Sequence, residues 1–237
     1  PYEASQFLER AVQCVRHLGP AERAARFEVE EELGLIYDTL ARYDDAERCL
    51  RNARRHAPNA SARARIRGHE GRIARSNKSL STSLRRYRTA LTEVPDDAHG
   101  VRAQLLVGVA SVLERQGRHA DKLPYLNEAV AAATKAADDS ALAHAHLLLG
   151  NTLGDLGTGD AEPHLTTALV LFEQLEDRWG VASARNNLGV EAYYAGNWLT
   201  ALEHYEEALA AFRLIGDEFS SAILLNNIGE IHSDQGE

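Results

Sequence analysis

The phrase Asn186-Asn187-Leu188-Gly189 returns forty residues later as Asn226-Asn227-Ile228-Gly229. A primary amide carries two donors and one acceptor oxygen. Asparagines repeated at a fixed interval can therefore grip an extended peptide backbone whatever its sequence. The same amides can instead bond neighbouring helices and fix their pitch, and the residues alone leave both uses open. Other chemistries fare worse. The glycine-rich stretch Gly154-Asp155-Leu156-Gly157-Thr158-Gly159-Asp160 lacks the Lys-Ser/Thr ending and the preceding strand of a phosphate loop, and reads as an inter-helix turn. His144 and His146 stand roughly 200° apart around a helix, so one metal ion cannot take both from one face. Ser79, Ser81 and Ser83 have no base and orienting group beside them in the sequence, and read as capping residues. The chain is therefore expected to hold no catalytic residue, no metal site and no cofactor, and not to be an enzyme in its own right.

The asparagines need elements to position them, and those elements repeat. Counting from Gly34, the residues Ala46, Leu50, Ala53 and Pro58 follow at offsets of 12, 16, 19 and 24. Gly71 leads to Ser83, Tyr87, Ala90 and Pro95 at the same offsets, and Gly189 to Ala201, Tyr205 and Ala208. Gly108 and Gly150 head two looser units, in which Ala129 and Ala168 take the place of Ala208. Alternating small and large apolar residues at this spacing suit pairs of closely packed helices. Abundant Ala and Leu and few aromatic residues agree with an all-helical chain. No apolar run reaches the roughly 18–20 residues that span a bilayer. Cys14 and Cys49 form no CxxC motif and read as packing residues of a reducing compartment, which predicts a cytoplasmic location. Without Met, and with an echo that stops mid-unit, the sequence is expected to be a piece of a larger protein.

Charge is uneven. Residues 1–95 hold 18 Lys and Arg against 13 Asp and Glu, whereas residues 96–237 hold 8 against 22. The basic residues concentrate at 42–88, where they could meet nucleic acid, an acidic protein segment or plain solvent.

The repeating pattern resembles the tetratricopeptide repeat over nearly the whole chain. That resemblance implies an all-α, right-handed superhelical solenoid of about twelve helices, occupying 1–237 as one domain. A lone second helix would cover 1–18, repeats would follow at about 20–58, 60–95, 97–137, 140–176 and 178–216, and a lone first helix would cover 218–237. Asp96-Asp97 and Asp138-Asp139 are expected caps, Gly19-Pro20 a break, and Gly157-Thr158-Gly159-Asp160 a turn. In the family, the concave surface is lined by positions three before and one, four and five after the marker glycine. Carried over, these are Asn186, Val190, Tyr193 and Tyr194, then Asn226, Glu230, Ser233 and Asp234, with Asn151 just after Gly150. Asn187 and Asn227 fall one step off that surface. Arg65, Arg72 and Arg75 fall on it and are candidate contacts for an acidic partner. The Lys, Asn and Arg clamp of chaperone-binding members is absent from consecutive units, which excludes that role.

The final quarter, from Asn186 to Trp198 and again from Asn226 to Gly236, is similar to the C-terminal repeats of bacterial cyclase-like proteins, often actinobacterial. Those carry a class III cyclase domain and an AAA-type or STAND ATPase ahead of the repeats, and LuxR-like and other STAND regulators have comparable repeats. The implied function is protein or peptide binding by a sensory or scaffolding arm of a multidomain signalling regulator. Its partner would be a protein or peptide segment, or another domain of the same chain, that biases an attached effector. The competing expectation is a nucleic-acid-associated module using the Arg-rich 42–88 region.

Overall fold

A computed structural model describes residues 23–77 and 79–235, together with Gln6, Phe7 and Arg10. Apart from those three residues, the helix expected at 1–18 lies outside the described residues, as do Cys14, the Gly19-Pro20 break and Gly236. Among the described residues there are eleven α-helices and no strand. The chain divides into two compact units, Pro1–Arg118 and His119–Glu237. The first holds α1 (Arg23–Thr39), α2 (Tyr43–His56), α3 (Ala60–Ser76), α4 (Leu80–Glu93) and α5 (His99–Arg115). The second holds α6 (His119–Ala136), α7 (Asp139–Leu156), α8 (Glu162–Gln174), α9 (Arg178–Tyr194), α10 (Trp198–Ile215) and α11 (Glu218–Gln235). The boundary falls inside the repeat expected at 97–137.

Within the first unit α1 pairs with α2 and α3 with α4, while α5 packs on both α3 and α4. Within the second, α6 packs on α7, α7 pairs with α8 and α9 with α10, and α11 packs on α10. The helices begin and end for local reasons. Asn59, Asp138 and Asp177 cap α3, α7 and α9 by accepting the backbone N–H of Ala62, Ala141 and Gly180 at 2.8, 2.9 and 3.0 Å. Several turns close with a bond from an N–H to the carbonyl five residues back, as in Asp177 to Phe172 at 3.0 Å and Asn197 to Ala192 at 2.8 Å. That closure places a left-handed residue at the turn, a place taken by Gly157, Gly196 and Gly216 but also by Ala41, Ala137 and Glu176. The expected cap at Asp96-Asp97 is not formed. The Ala98 N–H bonds back to the Pro95 carbonyl at 3.1 Å, and α5 starts only after Ala98. Ser83 is not a cap either: its buried hydroxyl donates to the Gly71 carbonyl at 2.7 Å and ties α4 to α3.

The marker glycines explain the packing. An added Cβ at Gly34 would lie 2.8 Å from Leu50, at Gly71 3.0 Å from the Tyr87 ring, and at Gly189 2.6 Å from the Tyr205 ring. At Gly150 it would lie 2.7 Å from Leu165, fifteen residues on instead of sixteen. In these four pairs the large residue of the second helix thus rests on the bare backbone of the first, whereas a Cβ at Gly108 would meet Tyr87 of the preceding helix. Ala46, Ala53, Ala90, Ala129, Ala168, Ala201 and Ala208 are completely buried and let the same pairs close. Gly229 holds the same place in the echo as Gly189, yet nothing lies within 4 Å of a Cβ built there.

One half-buried pair ties α7 to α8. The Nδ1 atoms of His146 and His164 are 2.9 Å apart, within hydrogen-bond reach, with the rings stacked at 5.2 Å. Burial, followed by the adjacent His164, holds His146 below its ordinary value of 6.5.

Two predictions follow from these contacts. Gly189→Leu must displace a buried tyrosine ring and is expected to lower unfolding free energy by about 1–3 kcal/mol. Gly229→Ala meets open space and is expected to raise it by about 0.5–1 kcal/mol. Urea titration followed by circular dichroism would read both, and equal effects at the two sites would refute the register. Unfolded His146 gains a proton near pH 6.5 while folded His146 resists it, so stability is complete above that pH and falls as pH drops below it. The melting temperature should be lower at pH 5.5 than at pH 7.5, and His146→Asn should narrow that gap.

Candidate functional site

Three asparagine side chains join α7 to α9. Asn186 Nδ2 donates to Asn187 Oδ1 at 2.9 Å, and Asn187 Nδ2 donates to Asn151 Oδ1 at 2.5 Å. A chain of amides bonded head to tail must end in one unused acceptor and one further donor. The acceptor is Asn186 Oδ1, which is buried and has no hydrogen-bond partner. A buried carbonyl oxygen left unpaired costs about 1–3 kcal/mol, and among the described residues of the second unit this is the one buried side-chain oxygen or nitrogen without a partner. The donor is Asn151 Nδ2, which has no partner among the described residues.

All three asparagines line a cavity of about 260 Å³. Its apolar base is buried: Leu147 on α7, Phe212 on α10 and Leu224 on α11 are exposed by 5%, 4% and 1%. Its sides are open: Trp179 on α9 and Ile223 on α11 are exposed by 48% and 44%. Ser183 and Ser220 add hydroxyls to the lining. The Trp179 indole is held by Asp217, which also accepts the backbone N–H and hydroxyl of Ser220 at 3.0 and 2.8 Å. Those bonds keep the Asp217 carboxyl below the usual range.

The candidates read from the sequence therefore separate. Asn151 and Asn186 line the cavity. Val190 packs into the apolar cluster around Tyr205 and Phe212. Tyr193 donates its hydroxyl to Asp234 at 2.7 Å, linking α9 to α11, and this bond pushes the phenol up to about 12. Tyr194 is 81% exposed, its ring edge-on to Tyr193 at 5.5 Å. Asn226 and Glu230 lie on the exposed side of α11, outside the cavity. Sequence reasoning placed Asn187 one step off the surface, yet it is the middle of the amide chain. It also missed Trp179, whose repeat-equivalent forty residues on is the exposed Phe219. That second echo was the available signal.

The arginines face a different environment. Arg65 makes two 2.8 Å bonds to Glu31 across α1 and α3, with its guanidinium over the Phe27 ring. Burial acts to raise the Glu31 carboxyl, but bonds from His69 and Arg65 outweigh it and hold it below its ordinary range. Arg72 Nε lies 3.0 Å from Asp38 Oδ2, an ion pair and not an aligned hydrogen bond. Arg75 is half-buried at the end of α3, its carbonyl accepting Arg115 at 3.4 Å. Beyond these, Arg42 and Arg48 meet Asp45, Arg51 and Arg86 meet Glu47, Arg54 meets Glu70 and Arg67 meets Glu93, all between 2.6 and 3.5 Å. A phosphate backbone would have to displace these carboxylates. Among the described residues no helix is long and apolar enough to cross a membrane.

Comparison with known proteins gives the fold a name. Residues 181–213, which span most of α9 and α10, match the family model of the tetratricopeptide repeat. Comparison with curated protein sequences returns no match. Among solved structures, the chain is similar to BtubC from P. vanneervenii, with a TM-score of 0.72, 17% identity, and 90% of this chain and 91% of that chain covered. It is similar to a STAND protein with a tetratricopeptide repeat sensor from Pyrococcus horikoshii, with a TM-score of 0.67, 12% identity, and 87% of this chain and 34% of that chain covered. A Rap protein complexed with competence and sporulation factor gives a TM-score of 0.64 at 16% identity, covering 91% of this chain and 72% of that one. At these identities the likeness is one of fold. Residues 181–213 thus match a tetratricopeptide repeat, and the chain shares the helix-pair solenoid fold of these solved structures.

Proposed function

We propose that this chain is a recognition module whose second unit binds an extended segment of a protein partner along the asparagine-lined cavity. The observation that carries this reading is the buried, unpartnered Asn186 Oδ1 on a residue that lines that cavity, with Asn151 Nδ2 as a donor at the other end of the same amide chain. An extended strand presents N–H and C=O groups along each edge, the kinds of partner that an unused acceptor and an unused donor take. The reading assigns the module no chemistry of its own. It makes the chain a sensory or scaffolding arm of a multidomain signalling regulator of cyclase or STAND type, working inside the cell. Two structures of like fold support that direction: one is described as a sensor within a STAND protein, the other as a complex with competence and sporulation factor. A bound segment would act on an attached effector by favouring one of its two states.

The intact 237-residue chain, panned against a displayed library of random nine-residue peptides, is expected to enrich binders. Asn186→Ala should weaken the best of them about two- to tenfold, the worth of one or two hydrogen bonds, while leaving the melting temperature within a few degrees. No enrichment, or binders indifferent to Asn186→Ala, would overturn the reading. A collapse of the fold in Asn186→Ala would show the amide chain to be a helix brace instead.

A further inference from the structure

Resting on that reading, we infer that the cavity selects basic segments carrying one large apolar side chain, which enters between Trp179 and Ile223. Size is the first argument. A cavity of about 260 Å³ falls below the roughly 300–1,000 Å³ of sites for drug-sized ligands, yet far exceeds the roughly 30 Å³ share of one water. One large side chain fits within it. Chemistry is the second. The base formed by Leu147, Phe212 and Leu224 offers no polar partner, while the amides that could take a backbone sit in the same lining. An apolar side chain pointing to the base and its own backbone held by the asparagines use both surfaces at once.

Charge is the third argument. The helices that supply most of the lining, α7, α9 and α11, carry six carboxylates: Asp139, Asp155, Glu191, Glu218, Glu230 and Asp234. Against them stand two guanidiniums, Arg178 and Arg185, and Arg185 is bound to Glu173 on α8 and Glu207 on α10. The crowding has a visible effect. Burial first, then Asp155, Asp160 and Glu162, push the Glu191 carboxyl above its ordinary range. Across residues 119–237 there are 19 Asp and Glu and only 5 Lys and Arg. A segment with Lys or Arg beside its apolar residue relieves that field, and an acidic one meets repulsion.

The random nine-residue library separates this inference from the reading beneath it. Enriched peptides should share one position held by Leu, Ile, Met, Phe or Trp, with Lys or Arg on its flanks. Replacing that apolar residue by Ser in a synthetic peptide should weaken binding about tenfold or more, and so should Ile223→Ser in the protein. Raising NaCl from 50 to 500 mM should weaken binding severalfold. Failure to enrich any peptide sinks the recognition reading itself. Enrichment of peptides with no apolar position, or with acidic flanks, leaves that reading standing and overturns this inference. Should Ile223→Ser unfold the chain, the Ser-substituted peptide alone decides: undiminished binding refutes the apolar anchor.

Discussion

The closest backbone approach in each helix pair sets everything else. A glycine in a first helix and a large side chain in the following second helix cannot both be replaced by ordinary residues without separating the pair. Tyr205 over Gly189 and Leu165 over Gly150 hold α9 to α10 and α8 to α7 at that separation. Because α8 also packs on α9, the distance between the first helices α7 and α9 follows from these two contacts. At that distance the Asn187 amide can reach Asn151. The amide chain is therefore a consequence of the glycines, and it lies on the same helix segments, within three residues of Gly189 and one of Gly150.

The two copies of the echo show what packing adds to sequence. Gly189 and Gly229 occupy matching positions, but one is pressed against a tyrosine and the other faces open space. Asn187 and Asn227 match as well, yet only the former has an Asn151 across from it on the preceding first helix. Identical phrases thus acquire different energies. A residue acts in a repeat through the neighbour on each side, which is why each unit's stability depends on the interface it shares.

The offsets of 12, 16 and 19 were legible because helix pairing imposes them locally. Ala46, Leu50 and Ala53, and Ala201, Tyr205 and Ala208, are all buried as that spacing requires. Asp138 as a cap was legible for the same reason. The start of α5 was not, since a turn at Pro95 displaced it beyond Asp96-Asp97. At the candidate site, Asn151 and Asn186 were readable from the family's concave positions. Asn187, read as one step off that surface, bonds Asn151 on the neighbouring first helix, a partner 36 residues away that the helical period alone does not name. Least legible were the arginine partners. Glu31 precedes Arg65 by 34 residues, and nothing in local sequence announces that two successive first helices bring them together.

That last point changes what the uneven charge means. A guanidinium paired with a carboxylate on an adjacent helix contributes little to the field felt by an approaching partner, although each such pair adds only modest stability where it is exposed. In the first unit eight arginines of the 42–88 stretch meet carboxylates, five of them on another helix and three locally at α2, so its basic composition overstates its attraction for a polyanion. In the second unit 19 carboxylates stand against five Lys and Arg, and six of them lie on α7, α9 and α11, the helices that supply most of the cavity lining. Composition left the basic stretch open to nucleic acid, an acidic segment or plain solvent. Pairing leaves the negative surface as the one with charge to offer, and it coincides with the unsatisfied asparagine.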